Sequence, residues 1–248
     1  MVVSVLEQSI PFNQLNQDIK QFPQVHPITP DMHITHKGVS RLVMIDRYSF
    51  KDTEKKTLKA GDFVVLTVKQ DPKFPARGLG IIQSIDFEKK SALIQIEEDY
   101  RHVLEGEEQT TGIIERSLDI IEKPLEIFYE QIAKRNATGL ASVEKTEEKR
   151  KEWFEKFYEQ LVSMNFIPAG RVIYGAGSET EVTFFNCYVM PFVADSREGI
   201  SDHRKQVMEI MSRGGGVGTN GSTLRPRNTL ARGVNGKSSG SVSWLDDI

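Results

Sequence analysis

The chain has 248 residues, enough for one large domain or two ordinary ones, and its 38% hydrophobic and 27% charged content is that of a globular protein in water. No apolar run reaches the roughly 18 to 20 residues of a membrane span, no basic start with a long apolar core marks a secretory signal, and a net charge of −3 disfavours generalised nucleic-acid binding. A single cysteine, Cys187, excludes an internal disulfide and points to a reducing, cytoplasmic setting.

Residues 1–37 read as an irregular arm, because Pro11, Pro23, Pro27 and Pro30 interrupt any long element; a short helix near Phe12–Phe22 is the most it allows. His26, His33 and His36 fall here, but without third and fourth ligands they suggest structural or solvent-facing side chains rather than a metal site. Residues 38–110 change character. The β-branched runs Leu42–Ile45, Phe63–Val68, Leu79–Ile82 and Ala92–Ile96, separated by turn residues, predict a small antiparallel β-barrel-like domain of four to six strands. Lys69, Lys73 and Arg77 would serve a nucleic-acid-binding module in the 38–103 barrel, or be ordinary solvated charges.

Residues 111–166 read as helical. Leu125, Ile127, Phe128, Ile132 and Leu140 mark one helix, and Trp153, Phe154, Phe157, Tyr158, Leu161 and Met164 form the apolar stripe of a second over Thr146–Asn165. Asn136-Ala-Thr and Asn220-Gly-Ser match the glycosylation pattern by chance in a cytosolic chain. Beyond Pro168 comes a small-residue loop, then Val182–Met190 as a buried strand with Cys187 on the face of Phe185 and Val189. A helix follows from Asp195–Gly199 to about Arg213, capped by Gly214, and the tail reads as loop, strand, loop and strand. The fold class is α/β, α+β overall.

The last third concentrates the chemistry. Between Gly214 and Trp244 stand Arg225, Arg227, Arg232 and Lys237 with no Asp or Glu, among many glycines and hydroxyls. Small residues let backbone N–H groups approach phosphate oxygens and arginine forks neutralise them. Neither a Walker loop nor a dinucleotide fingerprint is present, and His203 lacks any motif that would make it a base for Cys187.

Taken in order, Asn186-Cys-Tyr-Val-Met190, Asp195-Ser196, a helix, Gly214-Gly-Gly-Val-Gly218, Leu224-Arg-Pro226 and Ser238-Ser-Gly-Ser-Val-Ser243 resemble the large catalytic subunit of ribonucleotide reductases. The adenosylcobalamin-dependent class II type is the nearest, with an iron- or manganese-radical class I source as the competitor. The resemblance is clear over residues 124–248. Arg41–Arg47 and Asp71–Arg77 look like the front of a Gram-positive-type subgroup, and no ATP-cone motif is seen. It implies that residues 167–248 begin a ten-stranded α/β barrel, incomplete at its C-terminus. Cys187 then corresponds to one of two cysteines that reduce the 2′ carbon of a ribonucleotide and become a disulfide. Gly170, Asn186, Cys187 and Gly216 correspond to substrate-binding positions. Asp195, Ser196, Arg197, Arg225 and Arg232 correspond to a site for a dNTP or ATP effector, within which residues 221–236 cover the first specificity loop. The cofactor implied is adenosylcobalamin; the partners are a ribonucleotide, a thioredoxin-type reductant, a second copy in a homodimer, and a C-terminal reductase chain carrying the thiyl cysteine and the second redox cysteine, without which the chain would not catalyse. A non-catalytic dNTP-binding remnant is the other expectation.

Overall fold

A computed structural model of the chain describes residues 12–33, 36–231 and 235–247. It forms two compact units, one up to Val182 and one from Thr183 onward.

The first unit is built on a six-stranded sheet. Helix α1 (Phe12–Ile19) precedes it, followed by α2 (Gly38–Val43), which runs directly into a π-helical turn at Met44–Tyr48. The strands are β1 (Lys51–Asp52), β2 (Phe63–Lys69), β3 (Ala76–Asp86), β4 (Ser91–Ile96), β5 (Ile113–Ser117) and β6 (Ile121–Pro124), with the short helix α3 (Gly106–Thr111) between β4 and β5. Their order is β1-β6-β2-β3-β4-β5, every neighbouring pair antiparallel. The core strand β2 buries Phe63, Val64, Val65, Leu66 and Val68, so it is covered on both faces.

Three expectations are corrected here. The sheet is open rather than barrel-like, with β1 and β5 at its ends and no ladder joining them among the described residues. Leu42–Ile45 is helix and π-turn, not strand. In that conformation Arg41, Met44 and Ile45, at i, i+3 and i+4, turn inward together while Val43 stays outside. Arg41 Nη1 then donates to Glu97 at 2.5 Å in the interior. The sheet also takes in residues 113–124, which the helical reading had claimed, because Ile114 and Ile121 enter the core as strand residues.

Helices α4 (Tyr129–Ala141) and α5 (Glu147–Val162) follow, the latter N-capped by Thr146, whose hydroxyl accepts from the Lys149 amide. They pack through Ala133, Ala137 and Leu161 with Tyr129, Phe154, Phe157 and Tyr158. Only Leu161 of the predicted stripe is fully buried; Trp153 and Met164 reach the surface. Helix α6 (Gly170–Gly175) closes the unit.

Two buried charge nodes tie these pieces together. Lys123 Nζ donates to Asp18 (2.8 Å), Asp62 (2.7 Å) and the Thr57 carbonyl (2.9 Å), which fastens α1 to the sheet. Burial pushes the Asp62 carboxyl up, whereas Asp18, although burial opposes it, is held low by Lys123 and Lys59. The second node is Arg135 on α4. Its Nε and Nη2 reach the two oxygens of the fully buried Glu126 at 2.7 and 3.0 Å, and Nη2 also donates to the Tyr48 carbonyl at 3.0 Å. Nη1 serves the carbonyls of Ile173, Tyr174 and Ala176 at 3.2, 3.1 and 2.9 Å. Beside this node α4 and the turn after α6 touch backbone to backbone. A Cβ on Gly139 would lie 2.2 Å from the Gly177 nitrogen, and Gly177 itself has φ +73°.

The predicted nucleic-acid cations are largely committed. Arg77 is paired with Asp46 (2.7 Å) and Glu122 (2.6 Å), and Lys69 with Glu105 (3.2 Å). His33 and His26 make hydrogen bonds to the Asp31 carbonyl and the Thr138 hydroxyl, and His36 lies against Tyr129. No group of three His, Cys, Asp or Glu among the described residues could hold a metal.

Candidate functional site

The second unit begins with a strand-helix-strand element. Strand β7 (Cys187–Val189) lies parallel to β8 (Gly216–Gly218), with α7 (Arg197–Ser212) between them in sequence. Parallel strands need such a crossover, and 26 residues separate their ends (190 to 215), ample for one. The register pairs Cys187 with Gly216, Tyr188 with Val217 and Val189 with Gly218. The Gly216 amide donates to the Asn186 carbonyl at 2.8 Å. Three of the four predicted substrate positions therefore adjoin one another. Gly216 carries no side chain over the thiol: a Cβ there would sit 3.5 Å from Cys187 Sγ and from the Asn186 carbonyl oxygen.

The strand is shorter and more open than the sequence suggests. Val182–Met190 was expected to be buried, but only three residues form the ladder and the Cys187 thiol is exposed. Within the ladder Cys187 and Val189 are exposed and Tyr188 is half-buried, while Phe185, expected on the face of Cys187, lies outside the strand with its ring 6.4 Å from that of Tyr188. β7 has one ladder partner among the described residues, so one face and one edge stay uncovered. Gly170, the fourth predicted substrate position, belongs to the first unit, at the start of α6, where a Cβ would come within 3.1 Å of the Tyr48 hydroxyl.

The predicted effector residues gather at the start of α7. Ser196 is its N-cap, its Oγ accepting from the Gly199 amide at 3.0 Å. Arg225 Nε donates to both Asp195 carboxylate oxygens at 3.0 and 2.9 Å, and Nη2 to the Asp195 carbonyl at 3.0 Å. The acid expected at a sugar and the cation expected at phosphates thus bind each other. Arg197 is exposed at the first turn of the helix. Arg232 lies outside the described residues.

The far end of α7 is as predicted. Gly214 has φ +75° and its amide returns to the Met211 carbonyl at 2.8 Å. The tail differs from the sequence reading: after the short antiparallel pair β9 (Leu230–Ala231) and β10 (Gly236–Lys237), residues Ser241–Leu245 form helix α8 instead of a strand. It buries Trp244 against His203, ring centroids 5.5 Å apart, and Asp247 pairs with Arg204 at 2.8 Å. His203, whose Nε2 meets the Thr219 hydroxyl at 3.1 Å, is buried in this contact. Sequence reasoning also passed over Arg135 and Glu126. No motif surrounds them, and a charged pair nine residues apart on a strand end and a helix carries no signal of burial.

Residues 118–181 match the model of the ribonucleotide reductase all-alpha domain, and residues 185–248 match that of the ribonucleotide reductase barrel domain. The chain belongs to the ribonucleotide reductase family. The first match covers α4 to α6 and the second covers the β7-α7-β8 element, so the two domain models fall on the two sides of the structural division at 182–183. The chain is also similar to a vitamin B12-dependent ribonucleoside-diphosphate reductase of Thermoplasma acidophilum, 23% identical over 248 residues, which is 97% of this chain and 29% of the relative. It therefore spans under a third of that relative's length. No described helix is long and apolar enough to cross a membrane.

Proposed function

We propose that this chain supplies the first part of a class II ribonucleotide reductase catalytic subunit and that Cys187 is one of its two reducing thiols. The observation that carries this is the open thiol of Cys187 on β7, paired with a side-chain-free Gly216 on β8 and next to an Asn186 carbonyl fixed by the Gly216 amide. A sulfur that must meet a sugar needs access and a neighbour small enough to admit the ring; both are present. In the overall reaction two thiols become a disulfide, the 2′ carbon gains a hydrogen, and the 2′ oxygen leaves as water. Cys187 provides one of those thiols, and the other comes from polypeptide outside these 248 residues, because the chain has no second cysteine.

The relative's name supports adenosylcobalamin as the cofactor, which when bound supplies the radical that starts the reaction. None of this chain's residues is assigned to the cobalt. Gly170 contributes backbone contact to the ribonucleotide. Asp195, Ser196, Arg197, Arg225 and Arg232 form the effector site, where the Asp195–Arg225 pair opens so that the acid meets the sugar hydroxyl and the arginines meet the phosphates. A thioredoxin-type reductant, the cytoplasm, and a homodimer complete this reading.

The test is to combine the chain with the polypeptide carrying the remainder of the barrel and assay deoxynucleotide formation with adenosylcobalamin, using wild type and Cys187→Ser. Activity in wild type and its loss in the serine variant support the proposal. Equal activity in both, or none in any combination, overturns it.

A further inference from the structure

Arg135 does more than fill space. Each of its three nitrogens donates to an acceptor, and together these belong to three separate stretches of chain: Glu126 after β6, Tyr48 in the π-turn, and Ile173, Tyr174 and Ala176 at the end of α6. The carbonyls at the C-terminal end of a helix have no partners within it. α6 is only six residues long and lacks the length to hold itself in place. The guanidinium gives those carbonyls fixed donors in a planar fork, a geometry that lysine's single ammonium cannot reproduce. Glu126 balances the charge, and its Oε2 also accepts the Phe50 amide at 2.8 Å, which ties down the strand end beyond the π-turn. Asn136 adds a bond from Nδ2 to the Ile173 carbonyl at 2.9 Å.

Both neighbours of Gly170 pass through this node. Its own helix is gripped at the far end, and the ring of Tyr48, whose carbonyl Arg135 holds, is what a Cβ on Gly170 would strike. A buried ion pair is often no more stabilising than well-packed apolar side chains, and its best-attested gain is a specified geometry. A node that spends a fully buried charge on α6 and on the residue facing Gly170 is built to fix a position.

We propose that Arg135 is the positioning residue for the Gly170 backbone: its guanidinium sets where α6 presents that backbone to the ribonucleotide, without touching substrate itself. This rests on the proposed role of Gly170 in substrate binding and adds to it the device that places the loop.

The experiment uses the chain combined with its complementing polypeptide and compares wild type, Arg135→Lys and Asn136→Ala. Steady-state kinetics give kcat and KM for the ribonucleotide, and hydrogen exchange on the chain follows the amides of residues 172–176. In Arg135→Lys, KM rises about tenfold or more with a smaller change in kcat, and the 172–176 amides exchange faster while those of α5 do not. Asn136→Ala, which removes one bond to the same carbonyl, gives a smaller shift in the same direction and keeps the test open where Arg135→Lys does not fold. A wild-type KM in the folded fraction, accompanied only by a lower melting temperature, overturns the proposal, because a purely structural role changes how much protein is folded and not its affinity. If the wild-type combination makes no deoxynucleotide, the functional reading fails by itself. The exchange measurement then still decides whether Arg135 holds α6, and unchanged 172–176 protection in both variants overturns that too.

Discussion

In the first unit Arg135, Lys123 and Glu126 are among the most deeply buried side chains, each matched by an opposite charge, while in the second Val189, Phe185 and Phe192 stand mostly in solvent and Asp195 meets Arg225 at the surface. The difference lies in what each region must hold. The sheet and α4 collect segments distant in sequence, and buried charges with directional bonds define how those segments meet. The β7-α7-β8 element is local, kept by a short ladder and two helix caps, and its Asp195–Arg225 pair lies at the surface.

The sharpest way to break the contrast is Glu126→Ala. It strands the Arg135 charge in the interior and is expected to cost about 3–5 kcal/mol, measured by urea unfolding of the chain; a loss below about 1 kcal/mol would mean the node is solvated. In the second unit the largest expected single effect is at a cap. Ser196→Ala removes the Oγ acceptor of the Gly199 amide and is expected to destabilise α7 by about 1 kcal/mol, read from the same transition or from helical circular dichroism.

A smaller effect tests a half-open charge of the first unit. Burial pushes the Asp46 carboxyl up, but Arg77 and Lys51 outweigh it and hold it below its usual 3.8. The stability it contributes is therefore fully present above about pH 3.8 and is lost as the pH falls through the lower, folded-state value. The gap in urea midpoint between wild type and Asp46→Asn should narrow as the pH drops below that point; a constant gap would contradict it. The smallest expected effect is Arg225→Gln. This exposed pair contributes at most about 1 kcal/mol and less in high salt, so unfolding should barely change. A clear loss of stability would show that Arg225 is part of the scaffold instead of a residue free to turn toward a ligand.

Much of this was legible in the sequence. Thr146 and Gly214 announced their helix ends because capping is local chemistry, and the period of Phe157 and Leu161 marked α5. Asn186, Cys187 and Gly216 were grouped by the resemblance to ribonucleotide reductases, and the structure sets them side by side through the Cys187–Gly216 register and the Gly216 amide bond to the Asn186 carbonyl. Alternation separated Cys187 and Val189 from Tyr188 within β7; it could not say whether their face is covered, since burial of a strand depends on what packs against it. Leu42–Ile45 misled for a related reason: only Val43 and Ile45 are β-branched, and the helical turn buries Met44 and Ile45 together with Arg41, whose partner Glu97 is 56 residues away. Ile113–Pro124 was taken for helix because its strands are short and interrupted by a helical turn. The Arg135 node was invisible, since its partners are mostly backbone carbonyls, which every residue has.

The contact of Gly139 with Gly177 has an evolutionary corollary. With the two backbones touching, no side chain can be admitted at position 139 by enlarging a neighbour's pocket, because the obstacle is main chain. Residues 126–139 and 173–177 are thus a matched cassette. A chimera that exchanges one with a homologue must exchange the other, and crossovers placed between them should yield insoluble protein far more often than crossovers on either side.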